Sequence, residues 1–171
     1  MRSRLLKACV VLAVLALAAS AAAAEKANFS GTWVLDVSRS EGLPPGLEQT
    51  VTITHEGDKF GLVLKQKTPQ GERTVNESFM LDGKQADFTP PPPPPNQPQP
   101  RNGKRTARWL ADGGGIEIVD TWDMDTQDGP DTFELKRRFT LAPDGKTFTV
   151  EQNFKGALGL SQSKRVYVKQ G

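Results

Sequence analysis

Asp120, Arg137 and Gln152 form the polar group with the clearest chemical potential in this sequence, because each is flanked by apolar residues at alternate positions. A guanidinium group carries five N–H donors in a fixed fork that matches a carboxylate. An unpaired charge on a buried face is costly. The three residues therefore either satisfy one another as a cross-strand salt bridge or offer spare donors to the acid group of a ligand, and the sequence leaves both interpretations open.

Two turn dipeptides predict that these residues lie side by side. If Asp144-Gly145 is the centre of one hairpin turn, Arg137 pairs with Gln152 on the following strand. If Asp128-Gly129 is the centre of the preceding turn, Arg137 also pairs with Asp120. Both registers bring apolar residues opposite apolar ones, which argues against a slip of one residue.

The elements that must position this row are β-strands. Alternating apolar and polar residues recur in short segments separated by Gly, Asp and Pro turns, and no window has a sustained helical period. A third turn, Gly57-Asp58, places Ile53 opposite Leu62. The predicted strands are 31–37, 48–55, 59–67, 72–81, 85–89, 104–110, 116–124, 132–142, 147–154 and 163–169.

Strands that are neighbours in sequence and apolar on one face predict an all-β fold, an antiparallel up-and-down β-barrel of eight to ten strands. Closure removes exposed sheet edges and gives the apolar face an interior. A barrel of this size is wide enough to hold one small ligand. The barrel therefore links the fold to a binding function.

Residues 1–24 have the order of a secretory signal peptide: a basic start, an apolar stretch and small residues before the cleavage point. We expect a periplasmic or secreted protein with no stable membrane insertion after cleavage. Residues 25–171 then form a single domain. Three of the 22 basic residues lie in the signal, which leaves 19 against 20 acidic ones and a net charge of −1. This balance gives no reason to expect a nucleic-acid partner.

The segment 90–100 interrupts the strand pattern with a run of six prolines, Pro90 to Pro95. Proline has no amide proton for a sheet ladder, so this segment is predicted to be a polyproline II loop. A stiff spacer across one end of the barrel and a recruitment site for a protein partner are both compatible with it.

Phe29-Ser30-Gly31-Thr32-Trp33 resembles the first strand of the calycin barrels, the superfamily of lipocalins and intracellular fatty-acid-binding proteins. In that superfamily Gly31 would let the strand bend and Trp33 would close the end of the barrel. The last segment, "KRVYVKQ" at 164–170, resembles the Arg-x-Tyr strand of fatty-acid-binding proteins. The layout as a whole is similar to lipocalin-like proteins exported by environmental bacteria.

The resemblance implies that Arg165 and Tyr167 hold the carboxylate of a ligand, with Arg137 or Arg138 as a second arginine. The segment 38–47 departs from the fatty-acid-binding proteins, because it is too short and too proline-rich for their two-helix lid. The expected fold is therefore better supported than the expected ligand.

The sequence predicts a binding protein and not an enzyme. His55 is the single histidine, Cys9 lies in the signal, and neither a nucleophile motif nor a metal-ligand spacing is present. We expect a monomeric carrier of a small apolar ligand, with no cofactor and no metal. Its predicted apolar wall comprises Trp109, Trp122, Phe133, Phe139 and Phe148. The alternative is a filled barrel that acts as a non-catalytic envelope interaction module through its proline-rich loop.

Overall fold

The computed structural model describes residues 26–90, 92–93, 98–127, 129–157 and 159–171. The predicted signal segment and part of the proline-rich loop lie outside these residues. Ten strands are present in the described part of the chain, which confirms the all-β prediction. They are β1 Gly31–Glu41, β2 Glu48–Glu56, β3 Lys59–Thr68, β4 Gly71–Met80, β5 Asp82–Asp87, β6 Arg101–Trp109, β7 Gly115–Thr126, β8 Gly129–Leu141, β9 Thr147–Gly156 and β10 Gly159–Lys169.

All ten strands belong to one antiparallel sheet with the spatial order β4-β3-β2-β1-β10-β9-β8-β7-β6-β5. β1 pairs with β10, which joins the first and the last of the described strands. The sheet curls into a nearly closed barrel, in agreement with the predicted architecture. β4 and β5 are consecutive in sequence but do not pair, so a gap separates these two edge strands.

The connection between β1 and β2 is short, as the sequence predicts. Residues 42–47 lead directly from one strand into the next, with no helical lid between them. In the described part of the chain, no helix has the length and apolarity needed to cross a membrane.

Two of the three predicted hairpin registers are confirmed, and the third is wrong by two residues. Ile53 lies opposite Leu62, and Arg137 lies opposite Gln152. The β7–β8 ladder, however, closes on the pair Thr126 and Gly129, so Asp120 lies opposite Leu135 and not opposite Arg137. Gly129 begins the strand instead of occupying the centre of the turn.

A shift of two residues keeps every side chain on its predicted face, because the side-chain period of a strand is two. Asp120 therefore still points into the barrel and contacts Arg137 along a diagonal: Nη2 of Arg137 donates to Oδ2 of Asp120 at 2.7 Å. Asp120 and Arg137 therefore lie side by side inside the barrel, as predicted, although they are not directly opposite each other.

One end of the barrel is filled by an aromatic plug, which consists of Phe29, Trp33, Phe60, Phe139 and Phe148. The ring of Phe29 lies at the centre, with centroid distances of 6.1 Å to Phe60, 6.5 Å to Phe139 and 6.1 Å to Phe148. Trp33 packs edge-on against Phe148 at 4.8 Å. Edge-to-face contacts of this kind add to the free energy gained from burial. The plug is therefore a solid core.

Gly31 and Trp33 lie at this closed end of the barrel. Gly31 has a φ of +138°, a conformation that residues with a Cβ rarely adopt. Trp33 is fully buried, and its indole Nε1 donates a hydrogen bond to the carbonyl of Phe29 at 2.9 Å. The backbone bend and the indole thus act together at the start of β1.

His55 lies beside the plug in an environment that disfavours its protonated form. Its ring stacks on Trp109 with a centroid distance of 5.1 Å, and its Nδ1 accepts the backbone N–H of Phe29 at 3.4 Å. Nε2 is buried and has no hydrogen-bond partner. The loss of hydration on burial lowers the pKa of His55 despite the nearby carboxylate of Asp58.

We expect the free energy of unfolding to fall as the pH drops below about 6.5, the ordinary pKa of histidine in an unfolded chain. In that range the unfolded chain takes up a proton that His55 in the folded barrel does not. Urea denaturation between about pH 7 and 5 measures the slope, which should be lost in a His55→Phe variant. Since the chain has one histidine, an equal slope in both proteins would contradict this account.

Candidate ligand-binding site

The half of the barrel beyond the aromatic plug contains a cavity of about 760 Å³. Side chains from strands β2 to β10 line it, including those of the two edge strands that flank the gap. Its volume lies within the range of about 300–1,000 Å³ that is typical of small-molecule sites. The cavity does not agree with the alternative of a completely filled barrel.

The floor of the cavity is a closed ring of ion pairs between two arginines and two carboxylates. This ionic layer consists of Glu77, Arg105, Asp120 and Arg137. Arg105 donates to both oxygens of Asp120 at 2.5 and 2.9 Å and lies 3.0 Å from Glu77. Arg137 donates to Asp120 at 2.7 Å and to Glu77 at 3.2 and 3.4 Å.

Three members of the ring are buried and Glu77 is partly buried, and the four side chains pair with one another. Asp120 is 1% exposed and Arg105 is 7% exposed. Burial by itself would raise the pKa of Glu77, but attraction to Arg137 and Arg105 outweighs burial and holds that pKa below its ordinary value. Burial would likewise lower the pKa of Arg105, yet its bonds to Asp120 and Glu77 raise it. These ion pairs therefore favour the charged forms of Glu77 and Arg105.

Sequence reasoning missed Arg105, although a signal for it was present. Asp112-Gly113 is a turn dipeptide, and a hairpin centred on it pairs Arg105 with Asp120, which is the observed register. Glu77 was not among the predicted site residues either. Its contact with Arg105 joins β4 to β6 across the gap, and no hairpin register predicts a contact of that kind.

Arg165 lies beside the ionic layer but outside the ring. It lines the cavity, and its Nη1 donates to Oε1 of Gln152. Its Nε is buried without a hydrogen-bond partner. The loss of hydration on burial lowers the pKa of Arg165, and the positive charges of Arg137 and Arg73 add to this effect. Among the described residues, no carboxylate lies within ion-pair distance of Arg165.

Tyr167 has a different environment from the one that the family resemblance implies. It is 4% exposed and stacks on Phe148 at 4.7 Å. Its hydroxyl donates to Oε1 of Gln49 at 2.7 Å, and burial raises the pKa of Tyr167 to about 12. Gln49, and not Tyr167, is the member of this pair that lines the cavity.

An aromatic cluster lies further along the barrel from the plug than the ionic layer. Trp122 stacks with Phe133 and with Phe154 at centroid distances of 6.1 Å. Trp122 and Leu135 line the cavity. The cavity thus has a charged floor, formed by the ionic layer and Arg165, and a partly apolar wall above it.

Several predicted site residues do not reach the cavity. Phe139 and Phe148 belong to the plug, and Trp109 lies beside it, where its Nε1 donates to Asp58 at 2.9 Å. Of the two candidate second arginines, Arg137 lines the cavity whereas Arg138 is exposed on the outer face. The predicted residues that the structure does bring together at the cavity are Asp120, Trp122, Arg137, Gln152 and Arg165.

The arrangement offers ion pairing and apolar contact. Within the described residues, no group of three or more His, Cys, Asp or Glu side chains is positioned to hold a metal ion. Arginine side chains with unused donors bind carboxylate groups, and aromatic side chains bind apolar surface.

Comparisons with known proteins identify the fold but not a family. No protein-family model and no curated protein matches the chain. The crystal structure of zebrafish ileal bile acid-binding protein complexed with cholic acid matches with a TM-score of 0.50 and 16% identity, covering 83% of this chain and 98% of that one. Secretory abundant heat soluble protein 4 from Ramazzottius varieornatus matches with a TM-score of 0.47 and 15% identity, covering 85% and 96%.

The likeness to the bile acid-binding protein agrees with the strand order and the single continuous sheet. The fold is therefore a calycin-like antiparallel barrel, the architecture predicted from the sequence. At 16% identity this comparison establishes the fold alone.

We expect Asp120→Asn to lower the free energy of unfolding by about 3–5 kcal/mol, because it leaves two buried guanidinium groups with one carboxylate between them. Urea denaturation measures the change. Asp125→Asn is the matched control, since Asp125 also binds an arginine, Arg101, at 2.7 and 2.8 Å but is half exposed. A surface pair of this kind contributes little. Equal effects of the two substitutions would contradict the structural role of the ionic layer.

Proposed function

We propose that this chain is a non-catalytic barrel that binds one small amphipathic molecule bearing an acid group, such as a fatty acid or another acidic lipid. The acid group enters first and binds at the charged floor. The apolar part of the molecule remains against the wall above it.

The observation that carries this proposal is the environment of Arg165. A buried guanidinium is stable when an anion compensates it, and the ring supplies its two carboxylates to the other two arginines. The floor, defined as the ionic layer together with Arg165, contains three arginines and two carboxylates, which leaves one positive charge there. The carboxylate of a ligand would supply the missing negative charge and accept hydrogen bonds from the free N–H groups of Arg165.

The depth of the cavity determines the orientation of the ligand. The aromatic plug fills the barrel below the ionic layer, so a ligand cannot pass deeper than the arginines. The lining of the cavity combines Trp122 and Leu135 with polar side chains such as Gln66 and Gln152. This mixed wall favours an amphipathic molecule over a pure hydrocarbon.

The fold comparison is consistent with this proposal at a coarse level. The bile acid-binding protein whose barrel resembles this one was crystallised with cholic acid. The arginines and aromatic side chains of the present barrel are what favour an acidic, partly apolar ligand.

We also propose that the barrel acts outside the cytoplasm, in a periplasm or in the medium, as a monomer. The support for export is the order of basic, apolar and small residues in 1–24. The exposed large apolar side chains are scattered, with Val37, Met80 and Leu160 on different strands, and this agrees with a monomer.

We expect the barrel to bind a fluorescent long-chain carboxylate, and Arg165→Ala to weaken that binding by about 10- to 100-fold. Hydrogen bonds to charged groups are worth about 1.5–3 kcal/mol, and each 1.4 kcal/mol corresponds to about tenfold. Arg165 has no carboxylate partner in the described residues, so its removal leaves no other charge unpaired. Equilibrium fluorescence titration measures both dissociation constants.

The methyl ester of the same probe tests whether the acid group matters. We expect the ester to bind the wild-type protein more weakly than the acid, and Arg165→Ala to remove this difference. Arg138→Ala is the matched control, because it removes the same charge from the outer face of the barrel. Lack of saturable binding of both probes to the wild-type protein would contradict the proposed function.

A further inference from the structure

The two carboxylates of the ionic layer are not equivalent. The side chain of Asp120 is 1% exposed, whereas that of Glu77 is 16% exposed. Asp120 lies 2.5 to 2.9 Å from its two arginines. The corresponding distances from Glu77 are 3.0 to 3.4 Å. Glu77 is therefore the more weakly held and more accessible member of the pair.

The strands that carry these two carboxylates also differ in the number of neighbouring strands to which they are hydrogen-bonded. Asp120 lies on β7, which is hydrogen-bonded to β6 on one side and to β8 on the other. Glu77 lies on β4, which pairs only with β3 and has its other edge at the gap. If β4 moves away from the barrel, no hydrogen bonds are broken on its edge at the gap. A similar movement of β7 would break its hydrogen bonds to both β6 and β8.

The arginines would not be left without contacts if Glu77 withdrew. Arg105 would keep both bonds to Asp120 and its contact with the ring of Phe88, which lies 4.2 Å from the guanidinium carbon. Arg137 would keep its bond to Asp120. Arg137 would then present a free Nη1 and one free side of Nη2 to the cavity, on the strand next to Gln152 and close to Arg165.

We propose that Glu77 is a built-in competitor for the acid group of the ligand: the ligand carboxylate takes its place on Arg137, and Glu77 withdraws together with the edge strand β4. This inference rests on the proposed function and names the residue that sets its selectivity. A neutral ligand cannot displace Glu77, because it offers no charge to the guanidinium. A carboxylate can, and the exchange opens the barrel at the gap between β4 and β5.

Glu77→Gln tests the competition. We expect the variant to bind the fluorescent long-chain carboxylate about tenfold more tightly than the wild-type protein, because the ligand no longer competes with a charge-assisted bond. Binding of the methyl ester should not change. Glu72→Gln is the matched control: it removes the same charge from the same strand, but Glu72 is exposed and lies outside the cavity. If Glu77→Gln unfolds, Glu77→Asp, which withdraws the carboxylate by one methylene, should tighten binding in the same direction.

Hydrogen exchange separates displacement of Glu77 from a general increase in positive charge. In the wild-type protein the backbone amides of β4 should exchange faster when the long-chain carboxylate is bound. Unchanged or slower exchange of these amides would overturn the inference, even if Glu77→Gln binds more tightly. Equal dissociation constants of the long-chain carboxylate for the wild-type and Glu77→Gln proteins would also overturn the inference about Glu77. The proposed function would still stand in that case, provided that Arg165→Ala weakens binding of the carboxylate. Absence of carboxylate binding in both proteins would reject the two proposals together.

Discussion

The contact of Asp120 with Arg105 and Arg137 is the constraint on which the open half of the barrel depends. Asp120 is almost fully buried and receives three N–H donors from these two arginines. The contact fixes the height at which apolar packing stops and the cavity begins. Apolar residues of similar size often replace a buried ion-pair network without loss of stability. Stability alone therefore does not explain why charged side chains interrupt this core, whereas the proposed binding of an acidic ligand would explain it.

The face on which each side chain lies could be predicted from the sequence. Alternation has a period of two, so even the β7–β8 register, wrong by two residues, left Asp120 and Arg137 pointing inward. Turn dipeptides predicted two of the three registers, because Gly57 and Gly145 adopt the positive φ that tight turns require. The same reasoning applied to Asp112-Gly113 would have placed Arg105 beside Asp120.

The height of a side chain along the barrel axis could not be predicted in this way. Phe139 and Arg137 share one face of β8, yet the first is packed in the plug and the second lines the cavity. The tilt and stagger of the strands determine that height, and they are properties of the closed barrel as a whole. The contact of Glu77 with Arg105 could not be predicted from the sequence either, since it crosses a gap that no hairpin spans. Local sequence therefore identifies the inward residues but not their layer.

The three tryptophans of the chain are divided between the two halves of the barrel. Trp33 belongs to the closed end and Trp109 lies beside it, whereas Trp122 alone among them borders the cavity. Trp122 is 8% exposed, so its indole emission is set by the rings of Phe133 and Phe154 and by whatever shares the lumen with them. A molecule that enters the cavity would therefore change the surroundings of Trp122, whereas a disturbance of the aromatic plug would change those of Trp33 and Trp109.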